Sequence, residues 1–432
     1  MKKYYIVFKR LLFSKTAKST YITTIGAGLN AFVSFIFTII IARSISPANF
    51  GLYSVVLNIV SILTVVCDAG LSTSVLKFLP KAIRENDTKE CNKILKVSLI
   101  FTLLFSALTT LLLVVITTPL VNNILKKPEL LIPLLIVSVG LIGLSLSGLS
   151  STILQAKQKF LFSILTDLSV VISKTILVVI LLIFGLLNLN SVLVIIAMSS
   201  FVGLLLAHTF IKTDYLKTAL DYNLAKYLLK FAGWIIIARI ANSVSSRIDT
   251  LMLVRYVENA EIGYYAAAQR MTFIMTMLIG GVTTVITPKF SSLRNNKEVK
   301  AFIKKTSLLV CLLFFPLIIL FMLAPWLVIN IYGHDYLPSV QIFRWLLVST
   351  AFSIIAAIPI SVLIYFHGHT RTFAFLSIIQ LILITGFNLV LIPHYGVIGP
   401  AISLAIAYGA VALTSSVIII KHVNEKKTNR LG

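Results

Sequence analysis

The stretch NAFVSFIFTIIIARSISPANFGLY, residues 30–53, returns 212 residues later as NSVSSRIDTLMLVRYVENAEIGYY, residues 242–265. Laid over each other without a gap, the two agree at Asn30/Asn242, Ser34/Ser246, Ile36/Ile248, Thr38/Thr250, Arg43/Arg255, Ala48/Ala260, Gly51/Gly263 and Tyr53/Tyr265. Stacked solenoid units repeat at ~20 to 50 residues, whereas this period is about half of the chain. It therefore reads as the duplication of a whole multi-helix lobe.

The residues around the repeat give the class. Of the 432 residues, 58% are hydrophobic and 12% charged, where a soluble domain carries ~25% charged residues. Apolar stretches of about twenty residues cross ~30 Å of hydrocarbon as a helix. They fall near 20–42, 51–75, 97–118, 131–153, 161–184, 190–211, 232–254, 262–287, 306–331, 339–365, 372–392 and 397–420. The expected fold is all-α, a polytopic membrane protein with twelve transmembrane helices in two parallel six-helix lobes. Six spans per copy preserve orientation, so Arg43 and Arg255 emerge on the same side. The expected divisions are a basic amphipathic segment over 1–18, an N-lobe over 19–212, a linker over 213–231, a C-lobe over 232–420 and a basic tail over 421–432.

A net charge of +24 would suggest nucleic acid in a soluble chain; in a membrane protein what matters is the side on which the charges lie. Of the 38 Lys and Arg, 29 fall in the tails and loops of one side and four, Arg43, Lys126, Lys127 and Arg255, on the other. The positive-inside rule then makes both termini and the linker cytoplasmic, with no nucleic-acid partner expected. Nothing like a cleavable signal precedes the first span, so the segment 1–18 is expected to stay attached and lie against membrane lipids. Cys67, Cys91 and Cys311 have no pairing or metal spacing, and His367 and His369 flank Gly368 without a third ligand nearby. No metal and no cofactor are expected. The outer loops are short, the longest running roughly from Pro119 to Leu130, which disfavours a membrane glycan polymerase and points away from an enzyme.

Five cations, Lys174, Arg239, Arg247, Arg270 and Arg344, and three acids, Asp68, Asp167 and Asp249, lie within or at the edge of spans. A charge at a helix centre costs ~2.5 to 3.5 kcal/mol even on the mild insertion scale, so each should face a partner or a wet cavity. In span seven Arg239, Asn242, Ser243, Ser246, Arg247 and Thr250 follow at spacings of 3, 1, 3, 1 and 3, one polar stripe at 3.6 residues per turn. Span one keeps Asn30, Ser34 and Thr38 of that stripe, but Ala27, Phe35 and Phe37 stand where Arg239, Arg247 and Asp249 would be. On one reading both stripes line a central cavity, with Arg239 and Arg247 anchoring an anionic head group through bidentate hydrogen bonds. On the other, such charges are structural, with Arg247 and Asp249 joining buried ion-pair networks that fix helix rotation. Asp249 is an ion-pair or coupling candidate, and Lys174 and Arg270 are further candidate substrate cations. Asp68 and Arg344, nearer span ends, read as interfacial or paired. The Gly and Ser run of span four (Ser138, Gly140, Gly143, Ser145, Ser147, Gly148) suits close helix approach, and Pro316 and Pro359 should interrupt spans nine and ten.

Several motifs carry a resemblance. Arg43-Ser-Ile-Ser-Pro-Ala-Asn-Phe-Gly-Leu-Tyr53, Asp68-Ala-Gly-Leu71, Asp249-Thr-Leu-Met-Leu253 with Glu261-Ile-Gly-Tyr-Tyr265, Tyr332-Gly-His-Asp-Tyr336 before Pro338, and Tyr395-Gly-Val-Ile-Gly399 are similar to those of the Wzx-type polysaccharide repeat-unit flippases. These belong to the multidrug/oligosaccharidyl-lipid/polysaccharide exporter superfamily, and the resemblance runs from about residue 15 to 420. It implies two six-helix lobes around a cavity that opens alternately to either side, in the bacterial cytoplasmic (inner) membrane. The implied substrate is an oligosaccharide on undecaprenyl diphosphate, with polysaccharide polymerase machinery as a possible neighbour. A peptidoglycan-precursor flippase or a multidrug/cation antiporter of the same superfamily would share the fold; the antiporter would want an acid in span one, which holds none and has polar residues such as Thr23, Asn30, Ser34 and Thr38 instead.

Overall fold

The computed structural model describes residues 15–211, 214–293, 295–367 and 370–424, and these are helical almost throughout. Most of the amphipathic N-terminal segment, most of the basic tail and His369 lie outside the described residues. The helices are α1 (Lys15–Ser44), α2 (Pro47–Asp68), α3 (Leu71–Arg84), α4 (Thr88–Pro119), α5 (Leu131–Ala156), α6 (Phe160–Ile183), α7 (Leu189–Phe210), α8 (Tyr222–Ser245), α9 (Ile248–Tyr256), α10 (Asn259–Ser292), α11 (Asn296–Leu312), α12 (Phe314–Met322), α13 (Ala324–Tyr332), α14 (Ser339–Ser361), α15 (Thr370–Tyr395) and α16 (Gly399–Asn424). Helices dominate because hydrocarbon offers no water to the backbone, so every N–H and C=O must be satisfied within its own segment. Among the described residues nine helical stretches are long and apolar enough to cross a membrane, one of which, Arg371–Lys421, contains both α15 and α16. Spans seven (α8 with α9) and eight (α10) complete the expected twelve.

The broken helices were only partly legible. Span seven, with neither Gly nor Pro at the spot, breaks between Ser245 and Ile248. Span nine breaks at Leu313, just before Pro316, and again at Leu323. In span ten Pro359 is followed by a π-helical turn over Val362–Phe366, the kind of irregularity that frees carbonyls inside a helix.

By contacts the chain forms two compact units, residues 1–45 with 52–247 and residues 46–51 with 248–432. Helix α8 thus groups with the first unit. In that unit the small-residue face of α5 packs on α7: a Cβ on Gly140 would stand 2.8 Å from Ala197 Cα, and one on Gly143 would strike Ser200 Oγ. With lipid tails as apolar as leucine, such close approach gains dispersion energy rather than a hydrophobic driving force. The outer face of α4 (Leu104, Leu108, Leu111, Val115) remains exposed, as a lipid-facing surface should. In the second unit α14 packs on α10 and α16, and α15 on α9 and α16.

Helix α8 is tied down at its start. Asp221 accepts the Leu224 N–H at 3.0 Å as an N-cap and, with its other oxygen, Lys93 Nζ at 2.9 Å. The capping N–H and then the ammonium hold this carboxyl below the usual carboxylate range. A depressed folded value means a contribution fully present above the unfolded value of ~3.9 and lost as pH falls through the folded one. The difference in thermal midpoint between wild type and Asp221→Asn is therefore expected to be constant near neutral pH and to close on acidification. A difference that persists at acid pH would show the contribution to be something other than this charge.

Candidate functional site

The Asp68-Ala-Gly-Leu71 motif is the hinge between α2 and α3. Ala69 and Gly70 both have positive φ, 45° and 72°, a conformation that Gly tolerates and Ala does not favour. Asp68 makes the turn pay back: Oδ1 accepts the Ser72 N–H at 3.1 Å and the Ser72 hydroxyl, capping α3, while Oδ2 accepts Arg239 Nη1 from α8. A Cβ on Gly70 would stand 3.0 Å from Ala232 Cβ, so the turn lies directly against α8. Ser74 Oγ donates to the Leu228 carbonyl at 3.2 Å, and Lys77 Nζ sits 3.8 Å from the centroid of Phe231. These ties explain why α8 groups with the first unit. They also place Arg239 in an ion pair, the second of the two readings open to it.

Arg247 lies in the break between α8 and α9. Its Nη1 donates to Ser246 Oγ at 2.8 Å and to the Ser243 carbonyl at 3.1 Å, one of the carbonyls that a helix end leaves without an intrahelical donor. The break ends the stripe as a continuous helical face. Asn242 and Ser246 are exposed, whereas Ser243 and Thr250 are buried. In α1 the polar residues bond along the helix, Thr38 Oγ1 to the Ser34 carbonyl at 2.9 Å and Ser34 Oγ to Asn30 Oδ1 at 3.4 Å.

Lys174 of α6 stands 4.6 Å from the centroid of Phe37 in α1, a cation–π contact that holds an ammonium in apolar surroundings. Two turns earlier on α6, Asp167 borders a cavity of about 440 Å³ in the first unit, lined by residues of α1, α5 and α6. In the second unit the position equivalent to Phe37 is Asp249, which is buried. It accepts hydrogen bonds from Tyr265 OH, from the Thr250 N–H at 2.8 Å and from Gln269 Nε2 at 3.3 Å. Its partners are neutral donors; no Lys or Arg pairs with it among the described residues. Arg270 stacks over Phe50, 5.4 Å from the ring centroid, beside a tyrosine cluster in which Tyr336 meets Phe50, Tyr264 and Tyr332 at 5.9, 6.1 and 5.4 Å between centroids.

The sequence singled out the cations but not these partners. Tyr265 was visible as a repeat and motif position, and the aromatic seat of Arg270 as parts of the Arg43–Tyr53 and Tyr332–Tyr336 motifs, with nothing in either to say which charge they hold. The i,i+4 pairs Ser151/Gln155 and Ser163/Asp167 on consecutive spans were a readable signal of a shared polar face.

The family model described as "Polysaccharide biosynthesis protein" matches residues 16–294, more than half of the chain. The chain belongs to that family. The matched residues include both copies of the repeat and the Asp68-Ala-Gly-Leu71 turn. A Shigella flexneri protein described as "Putative O-antigen transporter" is 23% identical over 376 residues, covering 85% of this chain and 88% of the relative. Among solved structures, an inward-facing multidrug resistance MATE family transporter of the MOP superfamily matches with a TM-score of 0.74 at 12% identity, over 91% of this chain and 94% of its own. The lipid II flippase MurJ in an inward closed conformation matches with 0.74 at 16% identity, over 93% and 87%. At such identities the likeness is one of fold, and this member of the polysaccharide biosynthesis family has the fold of the MOP superfamily transporters.

Proposed function

We propose that this protein is a flippase that moves an oligosaccharide carried on a polyprenyl diphosphate from the inner to the outer leaflet of the bacterial cytoplasmic membrane, with both termini in the cytoplasm and no covalent chemistry of its own. The observation that carries the reading is a transporter fold of the polysaccharide biosynthesis family whose spans hold Lys174, Arg247 and Arg270. A diphosphate needs cations along its path, and an Arg fork meets a phosphate with two parallel hydrogen bonds. Arg247 is the favoured anchor, because it sits in a helix break, where its guanidinium donates to a hydroxyl and to a carbonyl of the last turn of α8. Transport by alternating access requires the glycolipid to bind the inward and outward states differently. A polymerase working on the outer face would consume the product.

The test uses cells lacking their own repeat-unit flippase, scored for outward glycolipid and surface polysaccharide at matched membrane levels of protein. Arg247→Ala is expected to lower transport by about tenfold or more, the worth of a hydrogen bond to a charged group, and Arg247→Lys to retain part of it. Wild-type transport by the alanine variant would remove Arg247 from the path. Failure of the wild-type protein in these cells, with rescue of cells lacking their peptidoglycan-precursor flippase instead, would reassign the substrate.

A further inference from the structure

The first-unit cavity beside Asp167 has an internal order that can be read from its hydrogen bonds. Gln155 Nε2 donates to Ser163 Oγ at 3.1 Å, Ser163 and Ser151 hydroxyls are 2.8 Å apart, and Ser151 Oγ donates to Asp167 Oδ2 at 3.1 Å. A hydroxyl has one proton. Since the proton of Ser151 goes to the carboxylate, Ser163 must donate to Ser151, and the relay runs one way from the amide to the acid. The relay uses the hydroxyl protons of Ser151 and Ser163 and sets what these four side chains leave for a guest. Asp167 Oδ1 and Gln155 Oε1 are left as acceptors, and a second Gln155 N–H is left as a donor. On the α1 wall, Asn30 uses its Oδ1 for Ser34, so its NH₂ group is what it can offer.

The cavity therefore presents acceptors and donors together, at about 440 Å³, within the ~300–1,000 Å³ of small-molecule sites. A metal cation would want acceptors alone. A phosphate would be repelled by Asp167, whereas a sugar ring, whose hydroxyls each donate and accept, satisfies both kinds of group. Phe160 in the lining adds the apolar surface that a ring face needs. Resting on the flippase reading above, we propose that this cavity is a carbohydrate subsite, with Asp167, Gln155 and Asn30 binding sugar hydroxyls of the transported head group. Lys174 lies seven residues further along the continuous helix α6, ~10 Å along its axis. The two charges then order the head group, sugars at the acid and diphosphate toward the ammonium.

The experiment measures binding to the purified full-length protein in lipid nanodiscs with two probes, bare undecaprenyl diphosphate and the glycolipid that accumulates in the flippase-deficient cells. Wild type is expected to prefer the glycolipid. Asp167→Asn, which keeps the shape and an acceptor for Ser151, and Asn30→Ala on the opposite wall are each expected to reduce that preference by about tenfold, with affinity for the bare lipid changed less than about twofold. Arg247→Ala should weaken both probes alike. If the wild type prefers the glycolipid and both cavity variants keep the full preference, the subsite is wrong while the flippase reading stands. If the wild type binds neither probe, the flippase reading fails and the subsite with it. Binding of sodium that Asp167→Asn abolishes, with sugar preference intact, would make the cavity a cation site and overturn the proposal.

Discussion

Replacing either Gly51 or Gly263 by alanine is expected to lower the thermal midpoint of the purified protein and to cut transport with it. The two glycines are duplicates of one another, each the fifth residue of its helix, α2 and α10. Within the second unit their helical turns meet in a reciprocal contact. A Cβ on Gly51 would land on the Asn259 carbonyl oxygen, and one on Gly263 on the Pro47 carbonyl oxygen, Pro47 and Asn259 being duplicates as well. Such self-complementary pairing is what two-fold related surfaces make. The obstructing atoms are backbone, so no rotamer change relieves them and one of the helices must move. Overpacking of this kind costs about 1–3 kcal/mol, occasionally more. The displacement also reaches the candidate site, because Phe50, next to Gly51, lies under Arg270 and Tyr265, two residues past Gly263, holds Asp249. The double variant is expected to cost less than the sum of the singles, since the first methyl already parts the helices. Gly28→Ala and Gly148→Ala serve as controls: a Cβ at either meets nothing within 4 Å, and alanine within a helix is favoured over glycine. A Gly51→Ala protein with the wild-type midpoint would mean that this contact is looser than described.

What the sequence made legible follows from which interactions are local. The spans could be read because hydrocarbon leaves the backbone one economical solution and about twenty residues to reach across. The repeat could be read because Gly51 and Gly263 tolerate no side chain, and a position that tolerates only one residue stays recognisable in both copies. Helix breaks are another matter. Nothing at Ser245 to Ile248 is a helix breaker, so the polar spacing 3, 1, 3, 1, 3 was continued through a point where the helix stops, and Thr250 turned out buried while Asn242 and Ser246 are exposed. Charged residues inside spans announce themselves by their cost, but their partners are set by packing. Asp68 precedes Arg239 by 171 residues, and nothing in either segment says that they meet.

That ion pair supplies the second large effect. Arg239→Ala leaves Asp68, whose side chain is 14% exposed, with only its bonds to Ser72. Removing one partner of a largely desolvated pair costs more than the pair contributes, because the remaining charge stays buried. Arg239 is itself 40% exposed, which tempers the loss to about 1–3 kcal/mol, below the 3–5 of a fully buried pair. Asp68→Ala loses the same pair and also the cap on α3, worth about 0.5–2 kcal/mol. Because the two residues act on each other, Arg239→Ala is expected to cost little once Asp68 is already alanine, with a coupling energy of about 1–3 kcal/mol in a double-mutant cycle read from thermal or denaturant midpoints in detergent. The same cycle separates the two roles open to Arg239. If it holds α8 against the α2–α3 turn, transport should fall in proportion to folded protein and recover partly in the double variant, where no unpaired acid remains. If instead it binds the diphosphate, Arg239→Ala should abolish transport at full folded yield, the coupling to Asp68 should vanish, and Asp68→Ala should spare transport. The hydrogen bond from Arg239 Nη1 to Asp68 Oδ2 favours the first outcome, which leaves Arg247, whose Nη1 donates to the Ser246 hydroxyl and the Ser243 carbonyl, as the arginine of span seven to test for phosphate binding.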